Sequence, residues 1–242
     1  AAFSRAAVSY DAAAVLQREV CRQLLDMLRA SNARHMPADI LDAGCGTGYG
    51  ARLLASEWPS ARLAAADFAA AMAQKTASTT AAACVADIES LPFRNQAFDL
   101  WWSSLTVQWC DPRYVFAEAV RVLRPQGRLA LSTLGPGTYA ELRQAFAGID
   151  HHRHTLDFSE PAPLAAAAET AGLAQLQIVR RTITLHYPDL KTLLGAVKAI
   201  GANALGDGRR SGMMGKAAWQ ALSAAYEAQR TADGLPASYD VI

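Results

Sequence analysis

The segment "LDAGCGTGYG", residues 41–50, constrains the fold more than any other stretch of the chain. Gly44, Gly46 and Gly48 alternate with Cys45, Thr47 and Tyr49, directly after a short apolar run and directly before a helical one. Glycine used this way marks backbone that turns sharply or lies close against a ligand. A strand that runs through such a loop into a helix is the opening half of a βαβ unit.

The residues that follow repeat the unit. Period and composition predict strands over 38–44, 61–67, 82–87, 97–104 and 128–134, and helices over 4–30, 49–58, 69–75 and 114–123, with "PQG" breaking the last helix from its strand. Strand and helix in alternation imply a doubly wound, mostly parallel α/β sheet with right-handed crossovers. Beyond residue 134 helices are predicted over 137–149, 163–173, 189–202 and 213–230, with one long strand over 174–187. "SYDVI" at 238–242 reads as a strand that has only begun.

Composition fits one globular domain. The 242 residues are 52% hydrophobic and 19% charged, with a net charge of +1. That balance supplies no field to favour a nucleic acid or a membrane surface. Cys21, Cys45, Cys84 and Cys110 are scattered, with no CxxC pair, as expected of a reduced, cytoplasmic protein. No apolar run approaches the length of about 20 residues that a spanning helix needs.

In an open parallel sheet, ligands bind beyond the carboxyl ends of the strands. The glycine loop, Asp67, Asp87 and the pair Ser103–Ser104 all fall at such ends and converge on one crevice. Asp67 stands about 20 residues beyond the loop, the offset of an acid that clamps ribose hydroxyls. Nicotinamide dinucleotides and S-adenosylmethionine both carry that ribose. They differ at the glycines. A dinucleotide sets a pyrophosphate there, which disfavours a neighbouring carboxylate. S-adenosylmethionine sets an ammonium and a sulfonium there, and cations gain from one. Asp42 suits the second ligand, as does Tyr49 standing where a third fingerprint glycine is expected. Asp87 adds an acceptor for an adenine amino group. The competing reading is that these aspartates cap turns or helices.

With these residues in view, "LDAGCGTG", "AAADFAAAM", "VADIESLPF" and "FDLWWSSLTVQW" resemble the successive motifs of class I S-adenosylmethionine-dependent methyltransferases. The resemblance implies a Rossmann-like sheet of seven strands closed by an antiparallel hairpin. It implies a methionine tail held by Asp42, Gly44, Cys45, Gly46 and Gly48, with Ser103 beside them. Ribose would lie on Asp67, and adenine would sit among Phe68, Met72 and Ile88 with its amino group on Asp87. "FSRAAVSYDAAAVLQREV", "SLTVQW", "RVLRPQGRLALSTL" and "LGAVKAIGAN" with Arg209 narrow the resemblance to malonyl-acyl carrier protein O-methyltransferases of the biotin pathway. This implies a single domain over 1–242, an N-terminal lid helix over 1–30 and a substrate-side insertion with strand six over 135–215. The implied partner is a malonyl thioester, on acyl carrier protein or coenzyme A. The implied product beside the methyl ester is S-adenosylhomocysteine.

A carboxylate acceptor is ionised at pH 7 and needs no general base, so no metal and no triad is expected. Tyr10 on the lid, Gln108 and Trp109 past strand four, and Lys198 and Arg209, or Arg5 or Arg18 on the N-terminal helix, as cations for the malonyl carboxylate are the acceptor-side candidates. A solvated surface charge competes at each cation, as does a solvated loop for His151, His152 and His154. Arg180, Arg181, Lys191, Lys198, Arg209 and Arg210 make a basic patch suited to an acidic carrier. The alternatives are a class I methyltransferase for another small acid or a quinone precursor, and, at greater distance, a nicotinamide-dependent oxidoreductase.

Overall fold

The computed structural model describes residues 15–31, 36–78, 82–149, 155–199 and 214–242. Five strands form one parallel sheet: β1 (Asp39–Ala43), β2 (Arg62–Asp67), β3 (Ala82–Val85), β4 (Phe98–Ser104) and β5 (Leu123–Ser132), in the order β3-β2-β1-β4-β5. The reversal between β1 and β4 leaves a crevice at the end of β1, where the glycine loop begins. Helices α1 (Val15–Ala30) and α2 (Tyr49–Glu57) cover one face; α3 (Ala70–Ala77) and α4 (Pro112–Val122) belong to the other connections.

β4 shows why a central strand of such a sheet is apolar throughout. Trp101 and Trp102 are both fully buried, yet on opposite faces. Trp101 joins Val115, Ala119 and Val122 of α4; Trp102 joins Cys21, Leu24 and Leu25 of α1 and Leu54 of α2. Asp111 starts α4 by accepting the Arg113 N–H at 3.0 Å, with Pro112 preset at the first helical position.

Two expectations are corrected here. "PQG" does not separate helix from strand. β5 begins at Leu123, and a register irregularity absorbs the extra residues, since Phe98 pairs with Leu123 but Leu100 with Arg128. The long strand expected over 174–187 is half as long. Only β6 (Arg181–Tyr187) pairs, while Leu176 and Ile178 stay exposed. Apolar residues in an extended stretch read as strand whether or not a neighbour exists to bond them.

The seven strands do not form one continuous sheet. β6 and β7 (Leu235–Val241) make a separate antiparallel pair, so "SYDVI" completes a seven-residue strand that starts at Leu235. β7 is stitched to the end of β5 by reciprocal bonds between Thr133 and Ile242, both 2.9 Å, and by Gly135 N–H to Asp240 O at 2.7 Å. α5 (Ala140–Phe146), α6 (Pro161–Thr170), α7 (Leu190–Ala199) and α8 (Lys216–Glu227) complete the described elements. The second half of the chain has its own core around Tyr139, Leu193, Tyr226, Leu235 and Tyr239, which Leu16 and Val20 of α1 also enter. No helix among the described residues is long and apolar enough to cross a membrane.

Candidate cofactor and acceptor site

The glycine loop turns back over β2. The N–H groups of Gly44 and Cys45 both donate to Ala66 O, at 2.8 and 3.0 Å. Gly44 has φ +81°, and a Cβ there would fall 2.3 Å from Thr106 Oγ1. Gly46 has φ +53°, and a Cβ there would meet nothing within 4 Å, so its outer side faces open space. The loop is held from behind by Asp67, whose Oδ2 accepts the Gly46 N–H and whose Oδ1 accepts the Ala69 N–H, both at 2.8 Å. Thr76 Oγ1 donates to Gly46 O at 3.0 Å.

In front of the loop lies a cavity of about 230 Å³, lined by Gln17, Arg18 and Cys21 of α1, by Asp42 and residues 44–47, by Tyr49, Gly50 and Arg52 of α2, and by Trp102 and Ser104. Asp42 is only 3% exposed. Burial, and then the nearby Asp67 carboxylate, push its pKa up to about 7, opposed by the Ala51 backbone N–H. Its Oδ2 is buried without a hydrogen-bond partner, as is Trp102 Nε1 on the same wall. Both atoms lie within about 3 Å of the space above Gly50, at 3.0 and 3.1 Å from an ideal Cβ there. Burial also raises the pKa of Asp67. Burial and Asp42 likewise keep the Cys45 thiol protonated, so Cys45 is a packing residue and not a nucleophile.

A buried carboxylate with an orphaned oxygen, close to a second carboxylate, favours a cation and disfavours a phosphate. The residues present therefore fit the ammonium-bearing end of S-adenosylmethionine better than a pyrophosphate.

The expected residues divide in three. Asp42, Gly44, Cys45 and Gly46 share the cavity wall, while Gly48 starts α2 behind it and Asp67 braces it. Phe68 (77% exposed), Asp87 (exposed, accepting Glu89 N–H at 2.9 Å) and Ile88 (buried) lie off that wall, just past the ends of β2 and β3, and Met72 (buried beside Ala69) lies off it in α3. Ser103 is a correction. It is fully buried with an unpartnered hydroxyl, and Ser104 lines the cavity instead. Neighbouring strand residues point to opposite faces, so a shift of one position exchanges them.

Gln108 is corrected too. Its Nε2 donates to Leu105 O at 2.7 Å and its Oε1 accepts from Thr133 Oγ1 at 3.3 Å. Both amide ends are engaged, so it ties the turn after β4 to the end of β5. That turn is strained at Leu105, with φ +52°. Trp109 ends the short 3₁₀ turn Val107–Trp109 and is half-buried. Arg5, Tyr10, Arg209, Arg210, His151, His152, His154 and the side chain of Lys198 fall outside the described residues. Of the basic patch, Arg180 is committed elsewhere. It bonds Asp240 through Nε at 2.7 Å and Nη2 at 2.6 Å, and Glu160 at 3.4 Å. Gln17, Gly50 and Arg52 were missed, although the i, i+4 spacing of Gln17 and Cys21 places both on one face of α1.

A parallel sheet with this strand order and a cation-favouring cavity beyond β1 fits the class of methyltransferases. Residues 41–131 match the family described as "Methyltransferase domain". The YcgJ protein of Bacillus subtilis shares the fold, with a TM-score of 0.61 and 19% identity over 91% of this chain and 95% of that one. The chain is 48% identical over 240 residues to the malonyl-[acyl-carrier protein] O-methyltransferase of Dechloromonas aromatica, covering 99% of this chain and 90% of that protein. It is 39% identical to the "Biotin biosynthesis bifunctional protein BioHC" of Cellvibrio japonicus, over 99% of this chain and 47% of that protein. The chain belongs to the malonyl-[acyl-carrier protein] O-methyltransferase family.

Proposed function

We propose that this chain transfers a methyl group from S-adenosylmethionine to the free carboxylate of malonyl-acyl carrier protein, forming the methyl ester that primes pimeloyl synthesis for biotin. The observation that carries the cofactor half is the orphaned Asp42 oxygen beside Asp67 behind a glycine loop. The substrate half draws on what the relatives are named for, at 48% identity over 99% of this chain. The whole chain is read as one domain, with residues 1–30 as its lid and 135–215 as the substrate-side insertion, working in the cytoplasm.

When bound, the cofactor supplies an electrophilic methyl on a sulfonium. Asp42 and the backbone of Gly44, Cys45, Gly46 and Gly48 would hold its amino-acid end, and Asp67 its ribose. Phe68, Met72, Asp87 and Ile88 would hold its adenine. The acceptor carboxylate is already charged, so the protein's task is orientation and exclusion of water. Tyr10, Trp109, Lys198 and Arg209 are the residues assigned to the acceptor. Gln108 fixes the turn on which Trp109 stands.

The test is a mass-spectrometric assay of malonyl-acyl carrier protein with S-adenosylmethionine, run beside malonyl-coenzyme A. A gain of one methyl on the carrier-bound malonyl group, lost in Asp67→Ala, is expected. An unchanged mass with active carrier present would refute the substrate, and methylation of coenzyme A alone would move the acceptor.

A further inference from the structure

The N-terminal helix brings to the cavity polar atoms that the glycine loop does not require. Gln17 and Cys21 stand one turn apart on the face of α1 that lines it. Leu16 and Val20 anchor that helix in the core of the second half, and Cys21, Leu24 and Leu25 anchor it in the core beneath α2. The backbone that carries Gln17 is therefore held on both sides.

Gln17 Oε1 is buried without a hydrogen-bond partner, the same condition as Asp42 Oδ2 of the same cavity lining. An amide oxygen and an ionised carboxylate can only accept. Two buried acceptors left open on one small cavity, beside one unpartnered donor, Trp102 Nε1, suit a ligand that carries N–H donors and a positive charge. Arg18 and Arg52 stand in the same wall. A group with an ammonium for one side and a carboxylate for the other is an α-amino acid.

We propose that Gln17 is a cofactor-binding residue whose amide oxygen, paired with Asp42 Oδ2, receives the α-ammonium of the cofactor's methionyl end. This rests on the reading that the cavity takes S-adenosylmethionine. It makes α1 the source of selectivity for the intact amino-acid tail over tail-less adenosyl thioethers.

Calorimetry on the full chain separates the possibilities, with three ligands: S-adenosylhomocysteine, its deaminated analogue, and 5′-methylthioadenosine. Gln17→Leu is expected to weaken S-adenosylhomocysteine by roughly tenfold to a hundredfold, the effect of one hydrogen bond to a charged group. The other two ligands should shift by less than about twofold, and Gln17→Glu, which keeps acceptor oxygens, should retain the affinity. Equal weakening of all three ligands would make Gln17 a packing residue and overturn the assignment, as would no weakening at all. Failure of the unaltered protein to bind any of the three would instead refute the cofactor reading, and this assignment with it.

Discussion

Thr106 lies directly against Gly44. Its hydroxyl donates to Gly44 O at 3.3 Å, and a Cβ on Gly44 would fall 2.3 Å from that same oxygen. The turn after β4 is thus the back wall of the glycine loop. Gly44→Ala meets both this clash and the left-handed conformation at φ +81°. It should cost about 3 kcal/mol by denaturant unfolding and abolish cofactor binding. Adding Thr106→Ala removes Oγ1 and Cγ2, at 2.3 and 2.4 Å from that Cβ, but leaves the Cβ of residue 106 at 2.7 Å, so it should recover only a share of the steric cost, and the double variant should lie between Gly44→Ala and the parent. No recovery would mean that the clash does not set the cost.

Asp42 makes cofactor binding depend on pH. Burial, then Asp67, hold its pKa near 7 against an ordinary value of 3.8. The folded protein keeps a proton that the unfolded chain releases. The stability of the free protein is therefore full below about pH 4 with respect to this group, and declines as pH rises through about 7. A bound ammonium favours the ionised form, so affinity for S-adenosylhomocysteine should fall as pH drops from 8 to 6, with proton release on binding near pH 7. Titrations in two buffers of different ionisation enthalpy measure that proton. Asp42→Asn should remove both the release and the pH dependence, and weaken binding roughly tenfold or more. Asp67 faces the same site and also titrates high, so the measurement belongs in both variants.

Asp67 both braces the loop and is the assigned ribose ligand. Its two oxygens accept from Gly46 and Ala69. Asp67→Asn converts one acceptor to a donor that faces a backbone N–H. A loss of about 1–2 kcal/mol in stability is expected, together with at least tenfold weaker S-adenosylhomocysteine binding. A loss of affinity without change in stability would show that Asp67 does not hold the loop.

Asp240, 4% exposed, accepts from Gly137 N–H at 2.8 Å and is neutralised by Arg180, which holds its carboxyl below the usual carboxylate range. Arg180→Ala leaves the Asp240 charge without its cation and should lower stability, read in thermal and denaturant unfolding. Asp240→Asn in the same chain should restore part of it. Charge reversal at Arg180 therefore reports on the β5–β7 junction and is a poor probe of carrier docking; Arg181 and Lys191 are the informative described positions.

The βαβ order, the glycine loop and the strand-end acids Asp42 and Asp67 were legible in the sequence, because each is written locally. A strand shows as an apolar run, a tight turn shows as glycine, and an acid's place at a strand end follows from counting. What lay between distant segments was not legible. Only the tertiary structure decided that Ser104 and not Ser103 meets the cavity, that Gln108 is spoken for at both ends, and that β6 and β7 pair apart from the main sheet. The same holds for Gln17 of α1 and Asp42 of β1 lining one cavity. Each of these depends on which face a side chain takes and which partner arrives from far along the chain. Period and composition carry no information about a hydrogen bond whose two ends are separated by the whole packing of the core.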